Sequence, residues 1–403
     1  MILKETLRHI IKTQKEELFL QEKTIEREKL KEIKIDIDLA VILSGVRRCG
    51  KSTLLKQLIK KTRNFYYFNF EDPRANSFEL TDFNKLNEVF QEEFGRSEYY
   101  FFDEVQNVAG WEIFVRSMLD KNKHFIITGS NASLLSKELG TKLTGRHIRF
   151  ELMPFSFNEF LTLKNKRSSI ESFEEYLTNG GFPQYLKIKR IEILQELFND
   201  IIARDISVRH KIRNEKALNQ LALYLLTNIG KEFSHNSLKK IFGISVNTII
   251  SFISYFEDAY ILFTIPRFDY SYKKQLVNPK KIYAIDNGFV NANSSSFSGD
   301  KGKMLENAVF LSLRRKYKNI FYFQEKKECD FLVKENNKIV KAIQVCYQIS
   351  EDNQEREFSG LIEALDKFNL KEGLILTYNQ EDIINIKGKS INIIPLWKWL
   401  LSK

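Results

Sequence analysis

An α/β fold, in which a parallel sheet is covered on both faces and followed by further modules, is predicted by three features of the sequence. Short apolar runs alternate with amphipathic segments from residue 40 to residue 152, the pattern of strands buried between helices. A glycine-rich turn at 45–52 joins the first run to the segment after it. The chain has 403 residues, too many for one ordinary core, so roughly two to four domains are expected.

The elements follow in order. Residues 4–35 are heavily charged, yet Leu7, Ile10, Ile11 and Leu18 recur at helical spacing and predict one or two helices. AVIL at 40–43 is a first strand, 52–62 a helix, and Phe65 to Phe70 a second strand. Helix is expected over 80–94, strand at Tyr99 to Phe102, helix near 111–121, and strands at 124–128 and 147–152. Pro154 closes this region. Residues 155–225 read as mainly helical, 230–290 change character, 291–300 (NANSSSFSGD) have a linker composition, and 302–403 return to mixed strand and helix. The domain boundaries expected are therefore 1–34, 35–153, 154–228, 229–290 and 291–403.

Composition narrows the class. Hydrophobic residues at 43% and charged residues at 29% exclude a wholly disordered chain. No apolar run approaches the roughly 18 residues of a membrane span, and residues 1–15 lack the apolar stretch of a signal peptide. Cys49, Cys329 and Cys346 are too scattered for a disulfide framework or a zinc site. A cytoplasmic protein without a membrane partner is expected. The net charge of +11 fits an anionic partner, nucleotide or nucleic acid, or simply solubility.

Gly45-Val46-Arg47-Arg48-Cys49-Gly50-Lys51-Ser52 fits G-x-x-x-x-G-K-[ST] between a strand and a helix. Glycines let backbone wrap a phosphate, and the helix that follows turns its first amides to the same anion. Residues Gly45 to Thr53 would bind ATP, with Lys51 reaching the β- and γ-phosphates and the Ser52 hydroxyl on Mg²⁺. Tyr99 to Phe102 runs into Asp103-Glu104. Asp103 at a strand's carboxyl end would hold Mg²⁺, and Glu104 would orient and deprotonate the attacking water; a solvated turn is the bland alternative. The strand ending Thr128-Gly129-Ser130-Asn131 would set Asn131 or Ser130 beside the γ-phosphate. Arg146 either completes a charge clamp on the transferring phosphoryl group or is an ordinary surface arginine.

On these motifs residues 35–190 resemble prokaryotic AAA-type P-loop ATPases of the "additional strand, catalytic glutamate" class. The resemblance implies a P-loop NTPase sheet in the order 5-1-4-3-2, ATP and Mg²⁺ as ligands, and a helical lid. It also implies a place near the adenine for Pro183 in Gly180-Gly181-Phe182-Pro183. Members of this group carry a C-terminal region of winged-helix and restriction-endonuclease-like α/β character, and residues 230–403 look like that region.

Residues 236–242 and 246–258 read as two helices joined by a turn at Gly243-Ile244-Ser245, with Val246, Ile249, Ile250, Ile253 and Phe256 as the buried stripe of the second. Residues 260–265 and 281–285 would form a wing, its tip surrounded by Lys273, Lys274, Lys280 and Lys281. The second helix has no Lys or Arg and ends in Glu257-Asp258. A lid or a protein-docking module is therefore expected in preference to a base-reading helix, with backbone contact by the wing left open.

Further on, Glu306 in a helix, Asp330 in Glu328-Cys329-Asp330, and Gln344 in Gln344-Val345-Cys346 resemble the PD-(D/E)XK nuclease core. They imply one divalent cation between them. Cys346 stands where active members need lysine, Lys341 has the wrong parity, and Lys326 or Lys327 would have to migrate in. A nuclease-like fold kept for structure or nucleic-acid contact is expected over cleavage. The expected function is a Mg²⁺-dependent ATPase coupled to the C-terminal modules. A nucleotide-gated switch of negligible turnover and an ATP-regulated nuclease are the alternatives, and a homo-oligomer is required if Arg146 serves a neighbour's nucleotide.

Overall fold

The computed structural model describes residues 2–20, 24–129, 143, 145–294 and 300–402. The chain divides into two units, Met1–Met153 and Pro154–Lys403, and each is described by itself.

In the first unit, strands β1 (Ala40–Ser44), β2 (Tyr66–Asn69), β3 (Tyr99–Asp103), β4 (His124–Gly129) and β5 (His147–Glu151) form one parallel sheet in the order β2-β3-β4-β1-β5. Read from β5, this is the expected 5-1-4-3-2. Helices α1 (Lys4–Phe19), α2 (Lys51–Ile59), α3 (Asp82–Phe94) and α4 (Trp111–Leu119) accompany it. Strands β1 to β4 are buried at nearly every position because both faces are covered, whereas β5, at the sheet edge, is half-buried to exposed. On one face, alternate residues Tyr66 and Phe68, Tyr100 and Phe102, and Phe125 and Ile127 join Phe83 and Phe90 of α3, Phe114 of α4, and Leu7, Ile10 and Ile11 of α1. The rings meet edge-on or stacked, as in Tyr100 on Phe125 at 4.7 Å and Phe70 on Phe102 at 5.2 Å. The charged N-terminal segment thus contributes an apolar stripe to the core of this unit.

The second unit begins with α5 (Phe157–Lys164), α6 (Ile170–Asn179), α7 (Pro183–Ile188), α8 (Glu192–Asp200), a stretch of wider turns at Ile201–Val208, and α9 (Glu215–Thr227). Ser156 with Glu159 and Ser169 with Ser172 close capping boxes on α5 and α6, which fixes where each helix starts. A small antiparallel sheet follows, β6 (Glu232–Phe233), β7 (Leu262–Pro266) and β8 (Lys280–Ala284), ordered β6-β8-β7. Between β6 and β7 lie α10 (His235–Phe242) and α11 (Val246–Asp258). The buried stripe of α11 is Ile249, Phe252, Ile253 and Phe256, while Ile250 is 46% exposed. The i, i+3, i+4, i+7 set therefore runs through Phe252, not through Val246 and Ile250 as expected. The connection between β7 and β8 holds a short helix, α12 (Tyr272–Val277), that carries Lys273 and Lys274. Lys281, expected at the tip of a wing, is buried within β8.

Helices α13 (Asn287–Asn293) and α14 (Lys301–Lys316) lead into a mixed sheet. It comprises β9 (Ile320–Gln324), β10 (Glu328–Glu335), β11 (Lys338–Cys346), β12 (Glu372–Thr377), β13 (Asp382–Ile386) and β14 (Lys389–Pro395). The order is β13-β14-β12-β11-β10-β9, and α15 (Gln354–Lys367) packs on β11 and β10 through Phe358, Leu361, Ala364 and Leu365. Among the described residues no helix is long and apolar enough to cross a membrane.

One buried carboxylate ties the helical part of this unit together. Asp286 caps α13, its Oδ1 accepting from the Phe289 amide at 2.9 Å, and its Oδ2 accepts from the Gly181 amide at 2.6 Å. A Cβ on Gly180 (φ +68°) would lie 2.0 Å from that carboxylate, and one on Gly288 would lie 2.1 Å from the Asn179 carbonyl. The glycines of Gly180-Gly181-Phe182-Pro183 thus have a packing role here, and Pro183 opens α7.

Burial pushes the Asp286 carboxyl up to about 7, against the Gly181, Phe289 and Gly288 amides and the charge of Arg315. The folded chain keeps this proton to higher pH than the unfolded chain does. The associated stability is therefore complete below the ordinary carboxylate range and is lost as pH rises through about 7. We expect the apo protein to melt at a lower temperature near pH ~8 than near pH ~5, and Asp286→Asn to flatten that dependence in a thermal melt series.

Candidate nucleotide site

The loop between β1 and α2 is shaped by two backbone demands. Gly45 has φ +152°, and a Cβ there would sit 2.1 Å from the Leu152 carbonyl; Gly50 has φ +101° at the start of α2. Both conformations favour glycine. Lys51 is buried, and its Nζ donates to the Gly45 and Val46 carbonyls at 3.1 Å each, so the ammonium lies inside the curl of the loop. Ser52 and Thr53 follow on the first turn of α2, both half-buried.

The ends of β3 and β4 complete the arrangement. The Asp103 carboxylate accepts from the Ser52 hydroxyl at 3.3 Å and from the Thr128 hydroxyl by a shorter bond. Thr128 Oγ1 in turn accepts from the Glu104 amide at 3.0 Å. Burial, and then the neighbouring Glu104, push the Asp103 carboxyl up to about 6. Glu104 is held in the left-handed region (φ 52°), and its carboxylate accepts from the Gln106 amide group. A non-glycine residue in that region is a strained conformation of the kind concentrated at working sites. Tyr67 of β2 is buried beside Asp103, and burial together with that carboxylate raises its phenol. A cleft of about 620 Å³ opens on this edge between Ser52, Tyr67, Asp103 and Arg74, with Gln14 and Glu17 of α1 on its rim.

The structure therefore brings Gly45, Gly50, Lys51, Ser52, Asp103 and Glu104 to one sheet edge. The remaining expected residues are placed differently. Arg47 lies 3.8 Å from Glu71, and Arg48 (φ 62°) is exposed. Cys49 turns inward, its Sγ on the Leu152 carbonyl at 3.4 Å, and burial raises its thiol, so it offers packing rather than a side-chain contact to a ligand. Asn131 lies outside the described residues. Arg146 lies away from the loop: its carbonyl accepts from the amide of Ala40, the first residue of β1, and its guanidinium pairs with Asp120. That is the amino-terminal edge of the sheet, a strand length of roughly 13 Å from the loop. Arg146 cannot clamp a phosphate bound to its own chain's loop.

Two arginines at the loop were not anticipated. Arg149, in β5, donates through Nε to the Ser44 hydroxyl at 2.8 Å, just before Gly45. Arg27 is buried, and its guanidinium donates to the Cys49 carbonyl and to the Met153 carbonyl at 2.7 Å each. Gln57 of α2 holds this segment by accepting from the Arg27 amide at 3.1 Å and donating to the Ile25 carbonyl at 2.6 Å. No local pattern marks Arg27 among the charged residues around it; its role exists only once Cys49 and Met153 are neighbours.

In the second unit, Glu306, Asp330 and Gln344 do converge, as their resemblance implied. The expected metal set is nevertheless corrected. Lys281 Nζ sits 3.0 Å from Glu306, 2.9 Å from Asp330 and 2.6 Å from Glu328. Gln344 is committed elsewhere, its Oε1 accepting from the Asp330 amide at 3.2 Å and its Nε2 donating to Glu357 at 2.9 Å. Among the described residues no three His, Cys, Asp or Glu side chains are arranged to hold a metal ion.

Comparison with known proteins agrees with the geometry of the first unit. Residues 38–161 match an AAA domain, residues 170–299 a domain of unknown function (DUF8612), and residues 301–399 another domain of unknown function (DUF4143). The chain is 38% identical to the uncharacterized protein MJ1544 of Methanocaldococcus jannaschii over 407 aligned residues, covering 92% of this chain and 90% of that protein. The chain belongs to the same family. An uncharacterized protein of Haemophilus influenzae is 30% identical, covering 91% of this chain and 95% of that one. The uncharacterized protein MJ1637 of Methanocaldococcus jannaschii is 26% identical over 56% of each chain. The AAA match spans β1 to β5, so the loop, Asp103 and Glu104 fall within an ATPase-like nucleotide-binding domain.

Arg27 lies outside that match, in the segment that precedes it. Loss of its two buried, charge-assisted bonds should cost about 1.5–3 kcal/mol each. Arg27→Ala is expected to lower the denaturation midpoint and to weaken binding of a fluorescent ATP analogue. A variant that retains wild-type affinity would show that the loop holds its shape without this guanidinium.

Proposed function

We propose that this chain is a Mg²⁺-dependent ATPase whose ATP cycle drives the second unit. The observation that carries the reading is the linked set Lys51, Ser52, Asp103, Thr128 and Glu104 at one sheet edge. Ser52 and Asp103 are a hydroxyl and a carboxylate 3.3 Å apart, hard oxygen donors of the kind Mg²⁺ takes alongside phosphate oxygens. When bound, Mg²⁺ neutralises charge on those phosphates. Lys51 exchanges its carbonyl partners for the β- and γ-phosphate oxygens, a stronger, charge-assisted pairing. Gly45 to Thr53 turn backbone amides toward the same anion. Glu104 orients the attacking water and accepts its proton, with Gln106 and Thr128 fixing the carboxylate and its backbone. Arg146, placed on the far edge, would serve a neighbouring subunit's nucleotide in a homo-oligomer.

The element order α9, β6, α10, α11, β7, β8 supports a winged-helix reading of residues 229–290. Helix α14 followed by β9 to β12, with Glu306, Asp330 and Gln344 together, supports a nuclease-like fold for 291–403. α11 carries no cation, so any contact with nucleic acid would go through its backbone, by way of Lys273, Lys274 and Lys280. A protein partner is the other occupant that α11 would suit.

Two variants separate binding from turnover. Lys51→Ala should abolish ATP binding in a filter or fluorescence assay. Glu104→Gln should leave affinity within a factor of about three while single-turnover hydrolysis falls by roughly 10²–10⁴. Equal turnover in wild type and Glu104→Gln would remove the catalytic assignment. Measuring the wild type with and without DNA tests the coupling to the second unit.

A further inference from the structure

We propose that the ammonium of Lys281 is a built-in cation that stands in the place of a divalent metal ion among Glu306, Glu328 and Asp330, so that the second unit's acidic cleft works without metal. The reading does not depend on the ATPase assignment, because it concerns a different cluster in a different unit.

The geometry is specific. An ammonium has three N–H donors, and Lys281 Nζ meets three carboxylates, Glu306 at 3.0 Å, Glu328 at 2.6 Å and Asp330 at 2.9 Å. Its side chain is 3% exposed, so these donors are taken up by protein. The carboxylates come from α14 and β10, the lysine from β8; Lys281 therefore ties the small sheet to the mixed sheet and its helix. The other polar groups that face the cluster are also engaged. Tyr283 donates to Glu306 at 2.6 Å, the Val345 amide donates to Asp330 at 3.0 Å, and Gln344 spans Asp330 and Glu357.

Charge accounts for the arrangement. Carboxylates buried together repel unless a cation lies between them. Burial still raises the Glu306 carboxyl to about 7. Divalent cations hold oxygens at about 2.0–2.6 Å, whereas Glu306 and Asp330 lie 3.0 and 2.9 Å from Nζ, and two cations cannot share one centre. The cleft beside the cluster, about 550 Å³, is bordered by Lys303, Lys327 and Arg356 as well as by these acids. Cys346, the residue standing where a catalytic lysine is needed, has its thiol pushed up to about 11 by burial and then Glu357, so it is no nucleophile near neutral pH. With Lys281 in place, the cleft has no route to a metal-activated water.

The test uses the full chain carrying Asp103→Asn, without nucleotide, so that the phosphate loop adds no metal site. Mn²⁺ binding is followed by electron paramagnetic resonance and by the melting temperature. The parent should show no Mn²⁺ site that depends on Asp330. Lys281→Ala should bind Mn²⁺ at least about tenfold more tightly than the parent, should be stabilised by it, and should lose both effects on addition of Asp330→Asn. Lys281→Met, which keeps the stem's volume, serves if the alanine variant does not fold. Asp330-dependent Mn²⁺ binding by the parent, or cleavage of DNA that requires both Mn²⁺ and Asp330, would overturn the proposal, as would a folded Lys281 variant with no gain in binding. If neither variant folds, the parent decides: an Asp330-dependent site overturns the proposal, and its absence supports it.

Discussion

The carboxyl edge of the first sheet depends on one buried carboxylate. Asp103 is accepted there because the hydroxyls of Ser52 and Thr128 both point at it and Lys51 lies close enough to oppose its charge. Each partner comes from a different element, so the carboxylate holds together the start of α2, the end of β3 and the end of β4. Thr128 adds a second link by accepting from the Glu104 amide, which fixes the backbone at the end of β3. A buried polar group is costly unless it is paired, and here Ser52, Asp103, Thr128 and the Glu104 amide are each paired within the set.

The loop itself is held from outside the conventional motif. Arg27 lies far upstream in sequence and bridges the Cys49 and Met153 carbonyls, so the N-terminal segment supports the phosphate loop as well as the core. Arg149 does similar work at Ser44. A loop already held in its curve pays less ordering entropy when an anion arrives. The second unit solves a related problem twice. Asp286 gathers the amides of Gly181 and Phe289, and Lys281 gathers three carboxylates. For Arg27, Asp286 and Lys281 alike, a buried charge joins segments that are distant in the chain.

Much of the first unit was legible because its signals are local. The alternation of apolar runs with amphipathic segments, the spacing of Gly45, Gly50, Lys51 and Ser52, and the carboxylates at the end of Tyr99–Asp103 are all read within a few residues. Errors arose where geometry is set by long-range contacts. Sequence proximity to β5 leaves Arg146 open between a phosphate clamp and a surface arginine, and only the strand direction puts it at the amino-terminal end of the sheet. Ile250 and Phe252 are equally apolar, and only the partner surface of α11 decides which is buried. Lys281 read as a wing-tip cation because lysines are usually exposed; the acids that bury it lie 25 residues or more away.

By itself the sequence determined that this chain carries a strand–loop–helix built to hold phosphate, with carboxylates on a later strand end and several modules downstream. Those are consequences of short-range backbone freedom and side-chain periodicity. The tertiary structure alone decided which partners the buried charges find: Arg27 the Cys49 and Met153 carbonyls, and Lys281 the acidic cluster. Burial makes a charge costly unless a partner is supplied, and partners from distant segments are chosen by packing rather than by spacing.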